Sequence, residues 1–281
     1  MSVDVETRRI AFEYPADEVP RHFVSGDLVM SHAVAMLSAV FPEGEDFFVR
    51  SVRAYRDDIT DATLRDQVKG FIGQEAMHGR GHRDFNDRLA AMGYPTKGVD
   101  KLVGRSLRFR ERIQGRRANL AVTAALEHYT ATLAETLLSN EEARKMFDVP
   151  EVRSLFLWHA LEESEHKAVA FDVYQHVGGG DRLRRLMMNI TTGIFLLAMV
   201  GATTVSIMKD PTARRHPIRV ARSLAGLRRS PFVTRDVARR IRDYNRPDFH
   251  PDDHDATELV ERWRSELFGT DGSLVSRLKT A

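Results

Sequence analysis

Apolar residues recur along this chain at intervals of three and four, the spacing that places them on one face of an α-helix. Sustained alternation of apolar and polar residues, which marks a half-buried strand, is scarce, and no Asn-Gly or Asp-Gly turn joins two apolar runs. The pattern therefore predicts an all-α fold. The predicted helices cover residues 26–41 (ended by Pro42), 44–60, 62–91, 100–139, 141–147, 151–177, 183–208, 214–245 and 256–268.

One stretch, WHALEESEHKAVAFD at residues 158–172, interrupts a core face with ionisable groups. At 100° per residue, four of them fall on the stripe that Leu155 and Val169 predict to be buried. These four are His159, Glu162, Glu163 and His166. Glu165 points the other way and is expected to be solvated. Burying carboxylates and imidazoles without partners costs several kcal/mol each, so the pattern indicates a bound cation.

The helix over 62–91 repeats this pattern in QEAMHGRGH, where Glu75, His78 and His82 lie on a stripe with Phe71. Both helices contain the unit Glu-x-x-His, in which the two side chains converge from one helix face onto one metal ion. Two such units and one Glu from each of two other helices form the dinuclear site of four-helix carboxylate proteins. The sequence therefore predicts a four-helix bundle with a dimetal core.

Two further glutamates complete the predicted site. Glu127 is the acid on the inner stripe of its helix, and Glu45 shares a stripe with Phe48. Four carboxylates neutralise two divalent ions, so the site can be buried without net charge. The predicted ligands are Glu45, Glu75, His78, Glu127, His159, Glu163 and His166. The extra His82 is expected to be a core histidine or the partner of a ligand.

Three functions are compatible with such a site. The first is O₂-dependent oxidation of a small or lipid-like substrate by two iron ions, since His and Glu ligands suit Fe(II). The second is a hydrolase, in which two divalent ions such as Mn or Zn activate water and Glu162 acts as the catalytic base. The third is a non-catalytic, metal-stabilised helical protein on a membrane surface. Against all three stands the interpretation that these acids pair with arginines of the chain.

The C-terminal third differs in composition from the rest, so we expect a bundle over residues 1–180 and further helices packed on it over 181–281. The stretch 182–246 holds 15 Arg and Lys against three Asp, a net charge of +12, whereas the whole chain carries +2. Residues 186–208 contain no charge, and a helix of that length, about 34 Å, is long enough to span a bilayer. This helix is a buried or homodimer-interface helix, a membrane-inserted or monotopic helix, or the wall of a tunnel for an apolar substrate.

Charge and composition narrow the expected partners and location. The basic helices fit an anionic membrane surface better than nucleic acid, because aromatic platforms are few. The chain has no cysteine, which excludes disulfides and thiolate chemistry. The N-terminal segment lacks the apolar core of a secretory signal. We therefore expect a cytoplasmic protein that associates with the inner face of the membrane.

His250 and His254, in RPDFHPDDHD, suggest either a lid with an extra metal site or, as we favour, a turn before the last helix.

Several stretches together resemble a bacterial family called predicted metal-dependent hydrolases, a ferritin-like all-α group. They are FPEGEDFF, QEAMHGRGH, LEHYTA, HALEESEHKAVAFDVY and RPDFHPDDHD. The resemblance covers roughly residues 10–270 and implies a ferritin-like bundle with metal-dependent chemistry. The position of His159, four residues before the last Glu-x-x-His, also resembles di-iron enzymes of the p-aminobenzoate N-oxygenase group, which implies O₂ chemistry.

Overall fold

The computed structural model of the protein describes residues 5–15 and 17–279. Within these residues the regular structure is helical, with one isolated β-bridge between Ile10 and Leu278. The all-α prediction is therefore confirmed. The α-helices are α1 Leu28–Arg53, α2 Ala62–Ala91, α3 Thr96–Ile113, α4 Arg116–Ser139, α5 Glu141–Lys145, α6 Pro150–His166, α7 Val169–His176, α8 Asp181–Lys209, α9 Pro211–Arg215, α10 Pro217–Gly226, α11 Arg235–Asp243 and α12 Thr257–Phe268.

Four of these helices surround a common interior. α1 packs on α2 and α4, and α6 packs on the same two helices. The first turns of α1 and α2 are fixed by aspartates, since the side chain of Asp27 accepts from the backbone N–H of Met30 and that of Asp61 from Leu64. The C-terminal helices lie against this group: α8 packs on α1 and α4, and α12 packs on α4 and α6.

α1 continues through Pro42, where the sequence predicted one helix to end and another to begin. A proline has no N–H, so the carbonyl of Ser38 loses its partner in the helix. The side-chain amide of Asn86 on α2 donates to this carbonyl at 2.9 Å, and Asn86 Oδ1 accepts from Ser38 Oγ at 2.8 Å. Met36 and Phe47, on either side of the proline, are fully buried. Packing of both halves thus outweighs the lost hydrogen bond.

Two other predicted helices are each divided in two. Residues 100–139 form α3 and α4, separated by Gln114 in an extended conformation and by Gly115, the N-cap of α4. Residues 151–177 form α6 and α7, which are separated at Lys167. The ammonium of Lys167 is buried and donates to Glu135 at 2.9 Å. A tertiary contact of this kind leaves no periodic trace in the sequence.

A buried carboxylate, Asp210, holds the end of α8 against the N-terminal region. Its Oδ2 accepts from Nε2 of His22 at 3.0 Å and from Nε2 of His32 at 3.1 Å, and its Oδ1 accepts from Arg21 Nε at 3.0 Å. Burial alone would raise the pKa of Asp210, but the hydrogen bonds from the two imidazoles outweigh burial and hold the pKa below its ordinary value. We call these four residues the Asp210 clasp.

Replacing Asp210 with asparagine is expected to lower the free energy of unfolding by about 2 kcal/mol, because Arg21 and two buried imidazoles lose their charged acceptor. A carboxylate with a depressed pKa contributes stability above its unfolded pKa of about 3.9 and loses it as the pH falls through the folded pKa. The difference from wild type should therefore persist from pH 8 to pH 5. Urea unfolding at several pH values measures it.

The control for this prediction is Asp66→Asn, because Asp66 is an exposed aspartate on α2. This variant makes the same chemical change at a solvated position and should leave the midpoint of unfolding unchanged. If Asp210→Asn and Asp66→Asn unfold at the same urea concentration, the Asp210 clasp does not stabilise the fold.

Candidate metal centre

Each of the helices α1, α2, α4 and α6 directs ionisable side chains into the interior of the bundle. These side chains are buried: Glu45 on α1, Glu75 and His78 on α2, Glu127 on α4, and His159, Glu163 and His166 on α6. They are the seven residues predicted as ligands, and the fold brings all of them into one cluster. The spacing succeeds because residues three and four apart lie above one another on one helix face.

One half of the cluster joins Glu45, His78 and His159. His159 Nε2 lies 2.9 Å from Glu163 Oε1 and 3.7 Å from Glu45 Oε1. His78 Nδ1 lies 3.6 Å from the same oxygen of Glu163. One potential ligand atom from each of Glu45, His78 and His159 falls within 4.8 Å of the other two. A single cation between them can contact all three.

The other half joins Glu75, Glu127 and His166. His166 Nε2 lies 3.0 Å from Glu75 Oε1, 3.3 Å from Glu127 Oε2 and 3.8 Å from Glu163 Oε2. A third group with the same spacing, formed by Glu75, His78 and Glu163, connects the two halves. The geometry therefore offers two neighbouring cation positions, with the carboxylates of Glu75 and Glu163 shared between them.

Many polar atoms of the cluster have no hydrogen-bond partner although they are buried. Within the cluster, the unpaired atoms are both carboxylate oxygens of Glu45, Glu75 and Glu127, together with Glu163 Oε2, His78 Nδ1 and His166 Nε2. Each unpaired buried group costs about 1–3 kcal/mol. All of them belong to the predicted ligands, and cations pair with carboxylate oxygens and imidazole nitrogens at once. The donor set therefore fits two divalent metal ions.

The cluster also shifts the pKa values of its own carboxyl groups. Burial, reinforced by repulsion from neighbouring carboxylates, raises the pKa of Glu45 and of Glu75 well above its ordinary value and raises that of Glu127 to about 7. Burial acts in the same direction on Glu163, but the hydrogen bond from His159 and the proximity of His166 hold its pKa well below the ordinary value. Without cations, burial therefore favours the protonated form of the other three carboxyl groups over the form each would take in water.

Glu162 lies behind His78. Its Oε2 accepts from His78 Nε2 at 3.0 Å, and its Oε1 accepts from Arg8 Nη1 at 3.0 Å. Burial raises the pKa of Glu162 to about 8, and the charge of Arg8 opposes this rise. The contact with Nε2 leaves Nδ1 of His78 directed into the cluster. The role of Glu162 as a catalytic base stays a prediction, and its contacts are those of a residue that orients His78.

The other two imidazoles are also held from behind. His82 Nε2 lies 2.6 Å from His159 Nδ1, which fits the prediction that His82 is a core histidine or the partner of a ligand. Gln74 Oε1 accepts from His166 Nδ1 at 2.7 Å. Gln74 was not among the predicted site residues, although a polar residue one turn before His78 on a buried stripe indicates such a role. Such outer contacts fix ring orientation and tautomer, which tunes metal affinity.

Glu165 is not solvated, so that prediction is wrong. It is 5% exposed and accepts from Arg8 at 2.7 and 2.8 Å, from Gln74 at 2.9 Å and from Arg264 at 2.8 Å. Helical periodicity places it correctly on the outer side of α6. The N-terminal segment and α12 cover that side, which no local pattern could show.

The Asp210 clasp is a second buried group with metal-like spacing. It differs from the central cluster because its ring nitrogens and carboxylate oxygens have hydrogen-bond partners, including Arg219, which donates to His22 Nδ1 at 3.2 Å. Arg21 also brings a positive charge to within 3.0 Å of the carboxylate. The clasp is therefore an ion-pair network and a poor cation site.

His250 and His254 contact different carboxylates. His250 Nε2 lies 2.8 Å from Asp172 Oδ1, and His254 Nε2 lies 3.5 Å from Asp243 Oδ2. His250 also caps the 3₁₀-helix Pro251–Asp253. These contacts fit a structured turn before α12, as the sequence analysis favoured.

A family model described as "Predicted metal-dependent hydrolase" matches residues 6–255. The matched region includes the four helices of the bundle and all seven predicted ligands. Neither the curated proteins nor the solved structures gave a significant match.

Proposed function

Because this chain belongs to the family of predicted metal-dependent hydrolases, we propose that its bundle holds two divalent metal ions and catalyses a hydrolysis. The set of unpaired, buried carboxylate oxygens and imidazole nitrogens carries the proposal. Hydrogen bonds or ion pairs satisfy Glu162 and Glu165 on the same helix, whereas Glu163, which faces the interior, keeps one carboxylate oxygen unpaired. In this proposal Glu45, His78 and His159 hold one ion and Glu127 and His166 hold the other, with Glu75 and Glu163 shared.

The chain contributes orientation and a dry environment. When bound, two divalent ions supply Lewis acidity and activate water for attack. The orientation of the three imidazoles is set by Glu162, His82 and Gln74. Aromatic rings cover the same imidazoles: Phe41 lies 4.7 Å from the His159 ring, Phe71 lies 4.9 Å from the His166 ring, and Trp158 lies 4.9 Å from the His78 ring. Excluding water in this way strengthens electrostatic interactions within the site.

A second candidate function is O₂-dependent oxidation by two iron ions. The observation in its favour is the ligand set itself, which contains four carboxylates and three imidazoles, with no sulfur, on four helices. This set suits Fe(II), and bundles with this arrangement include di-iron proteins. Metal identity separates the two functions, because hydrolysis does not need a redox-active ion.

The test uses protein stripped of metal and reloaded separately with Zn(II), Mn(II) or Fe(II). Hydrolysis of a panel of p-nitrophenyl carboxylate and phosphate esters is followed without oxygen, and oxygen uptake is followed in air. We expect ester hydrolysis with Zn(II) or Mn(II) under anaerobic conditions, lost in Glu163→Gln.

Three other results would contradict hydrolysis. Activity that requires both iron and oxygen would favour the oxidase. Turnover that survives in Glu163→Gln would come from another site or a contaminant. A rise in melting temperature with metal, without turnover in either assay, would favour a metal-stabilised structural protein.

A further inference from the structure

The exposed side of α8 is apolar over most of its length. Within the described residues, α8 is the one helix long and apolar enough to cross a membrane by length and composition, and 11% of its most apolar stretch is buried. Leu197 is 76% exposed, Met208 67% and Val200 65%. Most of the large exposed apolar side chains follow helical spacing: Leu186, Ile190, Ile194, Leu197, Val200, Val205 and Met208. Leu196, which is 53% exposed, lies at the side of this stripe. A helix that is apolar all round is ordinarily covered by protein or lipid.

The opposite side of α8 is bound to the rest of the protein. Met187, Met188 and Thr191 are buried near its start, where α8 packs on α1 and α4. Arg184 is buried and donates to the carbonyl of Arg246 at 2.9 Å. At the C-terminal end of α8, the hydroxyl of Ser206 contacts His32, and the residue that follows the helix is Asp210 of the Asp210 clasp. These contacts hold α8 along the bundle, so lipid can cover its exposed side but cannot surround it.

Positive charge flanks the apolar side at both ends. Arg182 and Arg185 precede the apolar stretch, and Lys209, Arg214 and Arg215 follow it. α10, which follows α9, adds exposed arginines beside Ile218, which is 73% exposed. An amphipathic surface with arginines beside apolar side chains is typical of helices that lie in the plane of a membrane interface.

α3 lies beside the start of α8 and carries exposed apolar side chains of its own. Arg110 Nη2 lies 3.4 Å from Met187 Sδ, so α3 and the start of α8 are neighbours. Leu102, Phe109 and Ile113 of α3 are between 62% and 65% exposed. Exposed basic residues accompany them, including Lys101, Arg105 and Arg112. The exposed apolar side chains of α8 are here called the apolar face.

We propose that the apolar face docks on an anionic phospholipid bilayer, with α8 lying parallel to the membrane instead of spanning it. Charge complementarity selects this partner. Two copies of the chain joined through α8 would bring basic ends together in either relative orientation, and juxtaposed like charges oppose association. Anionic headgroups meet the basic ends of α8 while the acyl region covers the apolar side. This proposal is independent of the reaction at the metal centre.

The experiment is a flotation assay of the full-length protein with vesicles of phosphatidylcholine alone or with 30% phosphatidylglycerol. We expect at least 10-fold stronger partitioning to the anionic vesicles, weakened by 0.5 M NaCl. Ile194→Asp with Leu197→Asp should reduce partitioning by about 100-fold or more, since two exposed apolar side chains become charged. Arg214→Gln, Arg215→Gln and Arg222→Gln together should reduce it by about 100-fold, at about 1 kcal/mol per arginine.

The matched control is Val275→Asp, an apolar-to-acidic change at a partly exposed position in the C-terminal 3₁₀-helix Val275–Arg277. It should bind vesicles as wild type does. Circular dichroism and gel filtration accompany every variant. Equal partitioning to neutral and anionic vesicles, or no vesicle binding, would overturn the proposal. So would a wild-type dimer that ignores vesicles and dissociates in Ile194→Asp with Leu197→Asp, since the apolar face would then cover a second copy of the chain.

Discussion

Replacing Glu163 with alanine is expected to empty both metal positions. A loaded wild-type chain should contain about two ions, and the variant close to none, because Glu163 lies between the two halves of the cluster. Its Oε1 is 2.9 Å from His159 Nε2, and its Oε2 is 3.8 Å from His166 Nε2. Turnover should fall by about 10³-fold or more with the loss of the Lewis acids. Metal content by mass spectrometry and turnover of the loaded protein measure the two effects.

Other buried glutamates provide graded controls, Glu127 on α4 and Glu162 and Glu165 on α6. Glu127→Ala changes one half of the cluster, so we expect one ion to remain. Glu162→Gln weakens the contact that orients His78 and should reduce affinity 10- to 100-fold without changing the number of ions at saturation. Glu165→Gln lies on the outer side of α6 and should retain both ions. If Glu163→Ala and Glu165→Gln bind equal amounts of metal, the central cluster is not the binding site.

Removing the metal ions with a chelator is expected to lower the melting temperature by about 10 °C at pH 8 and by much less at pH 5. Ligand present at 1,000 times its dissociation constant stabilises a protein by about 4 kcal/mol, and 1 kcal/mol shifts the melting temperature of a chain of this size by about 2–4 °C. Differential scanning calorimetry of loaded and chelated protein measures the effect across this pH range.

The pH dependence follows from the raised pKa values of the centre. Burial raises the pKa of Glu127 to about 7, and that of Glu75 also lies well above its ordinary value. Between the unfolded pKa of about 4.3 and the folded pKa, these carboxyl groups bind more protons in the metal-free native chain than in the unfolded chain. Their contribution to stability therefore falls as the pH rises through this window. Metal ions replace these protons, so the loaded protein should show a shallower dependence.

Glu127→Gln supplies the control, because the metal-free variant has one fewer carboxyl group to ionise in the interior. Its melting temperature without metal should depend less on pH than that of the metal-free wild type. The Asp210 clasp is common to both forms and cancels in the comparison. A chelator effect of the same size at pH 5 and pH 8 would contradict the proposed neutralisation of these carboxylates by cations.

The sequence predicted the all-α fold and seven residues that the structure places in one cluster, because both predictions depend on short-range periodicity. Glu75 with His78 and Glu163 with His166 are each three residues apart, and that spacing alone places two side chains on one face. Glu45 was selected through its stripe with Phe48, a weaker signal that the structure nevertheless places in the cluster. That these residues bind metal stays a prediction.

What the sequence missed depends on contacts between distant segments. Arg8 meets Glu162 and Glu165 from more than 150 positions away, and no pattern within α6 shows that the N-terminal segment covers its outer side. The division of helices at Gly115 and Lys167 was missed for the same reason, since packing decides whether a helix bends or continues there. At Pro42 the error was the opposite one, since the sequence predicted the end of a helix where α1 continues. Burial of the residues on both sides of the proline outweighs its local preference for ending a helix.

Pro42 links the backbone of α1 to the metal centre. Because Pro42 has no N–H, the carbonyl of Ser38 lacks its helical partner, and the side-chain amide of Asn86 donates to this carbonyl. The hydroxyl of Ser38 lies 2.9 Å from His82 Nδ1, and His82 in turn contacts His159. The proline thus costs α1 one helical hydrogen bond, and in return Asn86, Ser38 and His82 form a continuous series of contacts that ends at the predicted ligand His159. This is a stability–function trade-off, in which a more regular α1 would make a more stable bundle around a less precisely oriented imidazole.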